Sequence, residues 1–276
     1  VPGLPVVGWE PTYLPDPADD NRLLHVLYPE LSHVELQNGL LSHQNWRNWN
    51  VLMEAELALM QDLGFSLDRR NWFGYSIYHS GTSESDRRVF VNTNPYYARN
   101  ESGDGWIWGQ ANENAWGIGL HVYGSYNDVT QAADILTNGA YGTGIRLEGT
   151  GNVLRTAADA LISAEGAEGY GLLVSYGKNH RIEHNGTISA LGACGTAVRF
   201  DFGGNLLGNT IEERGSYIYN LSEFYPDLTP EEKRTEYERL GLDGPLVKNF
   251  DVAGSLAGSL AAIYISDNAF ESVDPR

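Results

Sequence analysis

Apolar and polar positions alternate along four segments of this chain that keep one register. Counting from Gly117, Gly142, Gly169 and Gly195, the third and fifth following positions are Leu120/Val122, Ile145/Leu147, Leu172/Val174 and Val198/Phe200. The fourth and sixth are His121/Tyr123, Arg146/Glu148, Leu173/Ser175 and Arg199/Asp201. Alternation of this kind predicts strands with apolar side chains inward and mostly polar ones outward. The four starts step by 25, 27 and 26 residues, and an asparagine falls ten positions after each: Asn127, Asn152, Asn179 and Asn205. A second apolar patch follows each asparagine (Val129, Leu154, Ile182, Leu207), and a third comes later in Ile135-Leu136, Leu161-Ile162 and Ile188. Three short strands in a unit of about 26 residues predict a mainly β chain folded as a right-handed parallel β-helix. Coils of such a solenoid lie about 4.8 Å apart, so the four asparagines are expected to form a structural column of hydrogen-bonded amides.

The pattern is weaker on both sides of these repeats. Gly74 to Gly81 resembles a first, imperfect coil, and residues 82–116 carry aromatics and turn residues without a clear period, which predicts an excursion capping the stack. After Asn209 the alternation breaks, and Thr229 to Gly241 has the threonine cap, early proline and terminal glycine of an inserted helix. Residues 250–268 read as one more coil with a shortened turn, and with no polar cap before Arg276 the stack is expected to continue in a longer parent chain. Upstream, six prolines between Pro2 and Pro29 predict little regular structure in residues 1–30. Leu52, Ala55, Leu59 and Leu63 predict a helix that Gly64 ends in the left-handed conformation. The division is therefore an irregular and helical piece over residues 1–72 and a β-helix over 73–276, interrupted at about 82–116 and 210–250.

Composition narrows the function classes. Eighteen basic against 36 acidic residues give a net charge of −18, which disfavours nucleic acid and anionic membrane surfaces as partners. The one cysteine, Cys194, excludes an internal disulfide or a multi-cysteine metal site and reads as a small buried residue. The Gly-x-Gly repeats with asparagine turns, the acidic charge and the scarcity of cysteine resemble the passenger domain of a bacterial autotransporter. That resemblance implies secretion or display on the cell surface through a C-terminal outer-membrane barrel of the same parent chain. The function expected on this basis is an adhesion or scaffold module with no active site of its own and no cofactor; the resemblance does not imply a ligand, and a host surface protein or glycan is the candidate partner.

Two other readings have residues behind them. Asn38 to Trp49, followed by Glu54 to Phe65, resembles the closing turn and helix of a metzincin-type zinc metalloprotease. The turn carries Leu40 and Leu41 where that family has methionine, and no His-Glu-x-x-His occurs, so a catalytic half would lie upstream of Val1. His33 and Glu35 share one strand face but make a marginal metal site, and no bound metal is expected. Alternatively, many β-helices are polysaccharide hydrolases or lyases that use outward-facing carboxylates and basic groups. The outward candidates are His121, Arg146, Glu148, Arg199 and Asp201, with Glu148 and Asp201 roughly 9.6 Å apart if two coils separate them. Against catalysis, Arg146 with Glu148, and Arg199 with Asp201, are expected to form exposed charge pairs of small energetic value. Trp46, Trp49, Trp72, Trp106, Trp108 and Trp116 either floor a carbohydrate site or pack a capping piece.

Overall fold

A computed structural model describes residues 52–201 and 245–266, the backbone of the strands Gly8–Asp16, Asp19–Glu30, Asn205–Leu207 and Thr210–Glu212, and the single residues Leu40, Thr229 and Glu231. The chain is mainly β, with three parallel sheets that successive segments visit in the same order. The first sheet holds, in spatial as in chain order, Phe73–Ser80, Ile118–Ser125, Thr143–Thr150, Tyr170–Lys178, Thr196–Phe200 and Ala261–Ile265. The second holds Arg88–Asn92, Asn127–Gln131, Val153–Thr156, His180–His184 and Val247–Val252. The third holds Ile135–Thr137, Leu161–Ala164, Thr187–Ala190 and Ser255–Gly258, with Tyr96 bridging onto Ile135.

Like pairs with like along every sheet, and this builds the core. Leu120, Ile145, Leu172 and Val198 are cross-strand partners in the first sheet. Phe90, Val129, Leu154, Ile182 and Phe250 line the second, and Ile135, Ile162, Ile188 and Leu256 the third. These side chains meet in one apolar cluster. The second glycine of each Gly-x-Gly is required by that packing. A Cβ on Gly119, Gly144 or Gly171 would lie 2.2, 2.4 or 2.2 Å from the Cγ2 of Ile135, Ile162 or Ile188. The third-sheet isoleucine fills the space a side chain would take.

Several sequence expectations change here. Within residues 1–30, where little regular structure is expected, the described Gly8–Asp16 and Asp19–Glu30 pair as antiparallel strands. A two-stranded ribbon has outer edges with no partner, so prolines that lack an N–H are tolerated in it. The segment 82–116 is not one excursion, because Arg88–Asn92 joins the second sheet and completes the first circuit. Its period was hidden because Val89 and Val91, the outward positions, are apolar and exposed. The true excursion follows Tyr97 and carries the short antiparallel pair Ala98–Arg99 with Trp106–Ile107.

The later interruption moves as well. The chain leaves the first sheet after Thr196–Phe200 and rejoins the same circuit at Val247 in the second, so the break lies between these two strands. Leu207 therefore sits in an antiparallel pair with Thr210–Glu212, and Phe250 takes the place opposite Ile182. Residues 250–268 are not a separate coil: Val247–Val252 and Ser255–Gly258 close the fifth circuit, and Ala261–Ile265 opens the next. The inserted helix expected at 229–241 lies outside the described residues, apart from Thr229 and Glu231.

The helix expected before the repeats runs over Glu54–Asp62, with the Glu56 carboxylate accepting from the Met53 N–H at 2.6 Å and Gly64 at φ +95°. Met53 and Ala55 pack with Tyr123, and Leu57 packs with Phe73 and Ile118. It thereby covers part of the first sheet's outer face.

Candidate functional site

One extra residue in the fourth circuit decides where the asparagines go. Leu147 pairs with Val174, but Glu148 pairs with Tyr176, so Ser175 is a bulge residue. The positions that follow, through the second-sheet strand His180–His184, are displaced by one relative to the sequence repeat. Asn127 and Asn152 do form a column: the backbone N–H and side-chain amide of Asn127 both donate to Asn152 Oδ1, at 2.8 and 3.0 Å. Asn152 Nδ2 donates to the Glu148 carbonyl four residues back at 2.8 Å. In the next circuit the same task falls to His180, whose Nε2–H donates to the Tyr176 carbonyl at 3.0 Å. Asn179 instead turns the corner at φ +59°. Asn205 lies in the antiparallel pair after the first sheet. The expected four-asparagine column is thus two asparagines and a histidine. His180 is buried and its Nδ1 has no partner among the described residues. Burial disfavours its charged form, and its pKa drops from 6.5 to about 4, although the bond to the Tyr176 carbonyl opposes this.

The same bulge assembles the strongest polar cluster among the described residues. Ser175 Oγ donates to Glu148 Oε1 at 2.9 Å, Arg146 donates to the same oxygen at 2.8 Å, and His121 Nε2 meets Glu148 Oε2 at 2.7 Å. Arg146 Nε also reaches Ser175 Oγ at 3.3 Å. Glu148, His121 and Ser175 have no exposed surface, and Arg146 almost none. The expectation of an exposed Arg146–Glu148 pair is therefore wrong. Sequence alternation gave the outward face correctly, but outward here does not mean solvent. Burial pushes the Glu148 carboxyl up, yet the Arg146 charge and the hydrogen bonds from His121 and Arg146 outweigh it and hold the group at about 2. His121 is displaced downward, chiefly by burial, with Glu148 opposing. Its rings of contact are Phe73, Tyr78 and Tyr123, and its Nδ1 has no partner among the described residues. The neutral tautomer with the proton on Nε2 fits this setting. Such a cluster holds the sheet face together. A general base must reach a substrate proton, and among the described residues the Glu148 oxygens meet His121, Arg146 and Ser175.

Arg199 and Asp201 pair separately, Nη2 to Oδ2 at 2.7 Å and Nε to Oδ2 at 3.0 Å, with the guanidinium over the rings of Tyr170 and Tyr264. No described hydrogen bond joins them to the Glu148 cluster. His33 and Glu35, the weak metal candidates, lie outside the described residues. Among the described residues, no group of three or more histidine, cysteine or acidic side chains could hold a metal ion.

The tryptophans divide. Trp72 packs beside Leu57 and Phe73, and Trp106 packs on Tyr96 beneath Arg99. Trp108 and Trp116 are exposed, and Trp46 and Trp49 lie outside the described residues. Trp116 belongs to a feature that the strand reading passed over, the motif Ala-x-Gly at the start of every repeat: Ala115-Trp116-Gly117, Ala140-Tyr141-Gly142, Ala167-Glu168-Gly169 and Ala193-Cys194-Gly195. The middle residue is left-handed each time, with φ of 59°, 58°, 54° and 59°. Each of the first three donates its N–H to the alanine carbonyl of the next repeat, at 2.9, 2.8 and 2.7 Å. All four side chains are exposed, Cys194 included, which corrects its assignment as a buried residue. For a residue with a Cβ this conformation costs about 1–2 kcal/mol.

No protein-family model, no curated protein and no solved structure matches the chain. No helix among the described residues is long and apolar enough to cross a membrane.

Proposed function

We propose that residues 73–265 form a right-handed parallel β-helix serving as a non-catalytic adhesion or scaffold module. In this reading the module is of the autotransporter-passenger kind, exported to the bacterial cell surface or released from it. The observation that carries the non-catalytic part is the state of Glu148. The best catalytic candidate of the outward face has no exposed surface, and its two oxygens accept from His121, Arg146 and Ser175. The repeated sheet order and in-register core support the β-helix, and a handed crossover between parallel strands is right-handed in nearly all proteins.

Two measurements test the reading. Incubation with a polysaccharide panel is expected to release no reducing ends and no unsaturated products; release of either by the purified protein would replace this reading with a hydrolase or lyase. Labelled protein is expected to bind host cell surfaces saturably, and absence of binding would remove adhesion. The metzincin-like tail predicts, in the parent reading frame, an upstream His-Glu-x-x-His, and the autotransporter likeness predicts a terminal barrel.

A further inference from the structure

We propose that the corner column Trp116, Tyr141 and Glu168 is a platform for a neutral glycan chain. This deepens the adhesive reading and rests on it.

The column is built outside the apolar clusters of the interior, and Trp116 and Tyr141 are 61% and 43% exposed. Both hold a left-handed backbone that glycine adopts without strain, in a chain that places glycine at many other corners. Retaining strained, exposed aromatics at such positions points to a use of their surface rather than to folding. The hydrogen bonds that fix the corner run through backbone N–H groups, so any residue but proline would satisfy them.

The chemistry of the surface selects the occupant. The two rings have centroids 6.3 Å apart and an interplanar angle of 33°, so two partly exposed aromatic rings neighbour each other at successive corners. Aromatic faces attract the weakly positive C–H face of a pyranose, while a polar edge stays wet. Tyr141 Oη donates to Glu168 Oε1 at 3.2 Å, which places a carboxylate acceptor beside the rings for sugar hydroxyls. Consecutive corners are one strand spacing apart, so the three residues span about 10 Å, close to two linked pyranose rings. The net charge of −18 disfavours an anionic polysaccharide and leaves a neutral one.

The experiment is calorimetric titration of the full chain with cellohexaose, chitohexaose and mannohexaose, with polygalacturonate as the anionic control. The same titrations are run on Trp116→Gly and Tyr141→Gly, with the melting temperature of each. At least one neutral oligosaccharide is expected to bind, each variant to weaken it about tenfold or more, and both variants to melt at or above the parent temperature. Glycine relieves the corner, so loss of binding with unchanged or higher stability separates a binding role from a structural one. Binding unchanged in both variants, binding lost together with a fall in melting temperature, or preference for polygalacturonate overturns the platform. If no neutral oligosaccharide binds while host cells still do, the platform falls and the adhesive reading stands. If neither binds, both fall.

Discussion

At the scale of the residue, Glu148 is the group whose loss matters most. Arg146 and Glu148 are both desolvated, and a buried pair broken on one side leaves an uncompensated charge. Glu148→Gln is expected to cost about 3–5 kcal/mol, read as a shift in the denaturation midpoint. The double variant Arg146→Met/Glu148→Leu removes both charges and should recover a large part of that loss. A double variant less stable than Glu148→Gln would show that the pair contributes net stability beyond mutual compensation. The residue identities were legible in the sequence as an outward pair. Their burial was not, because alternation reports which face a side chain occupies and is silent on what lies against that face.

At the scale of the element, the ends of the first-sheet strands stack closely on one another. Gly124, Gly149 and Gly177 all have φ near +100°, and a Cβ on Gly149 would fall 1.7 Å from the Gly124 carbonyl oxygen. Gly109 also has a positive φ, of 75°, but has open space where a Cβ would go. Gly109→Ala is therefore expected to cost about 1 kcal/mol of backbone strain. Gly149→Ala adds a backbone collision between circuits and should cost about 3 kcal/mol or more. Equal effects of the two substitutions in thermal melts would argue against this close stacking. The strands themselves were readable from period-two patterns. The bulge at Ser175 was not, since one residue gained there is offset by a shorter segment later in the same circuit: Thr156 pairs with His184 28 residues on, but Ile162 pairs with Ile188 only 26 on.

At the scale of the whole molecule, acid should loosen the stack in two stages. His180 titrates at about 4 when folded and near 6.5 when unfolded, so the unfolded chain binds more protons between these values. Stability is full above pH 6.5 and falls as the pH drops toward 4, by on the order of 3 kcal/mol from His180, with His121 acting in the same direction. Glu148, folded at about 2 against 4.5, contributes stability that is present above 4.5 and is lost as the pH falls toward 2. Melting temperatures across this range check both stages. His180→Asn, which installs the residue used one circuit earlier, is expected to reduce the upper stage to the His121 contribution and leave the lower one; an unchanged upper stage would assign it elsewhere. The sequence by itself determined the strand positions of the first three regular repeats and the first strand of the fourth, their inward residues and the helix before them, because each depends on a local period and on glycine or polar punctuation. The tertiary structure alone decided that the fifth circuit resumes at Val247, that His180 takes an asparagine's place and that Glu148 is sealed away. It also decided that Trp116 and Tyr141 lie side by side. Pairing between residues more than 20 positions apart, and the matter covering a sheet face, are set by which segments stack, and no local pattern encodes that.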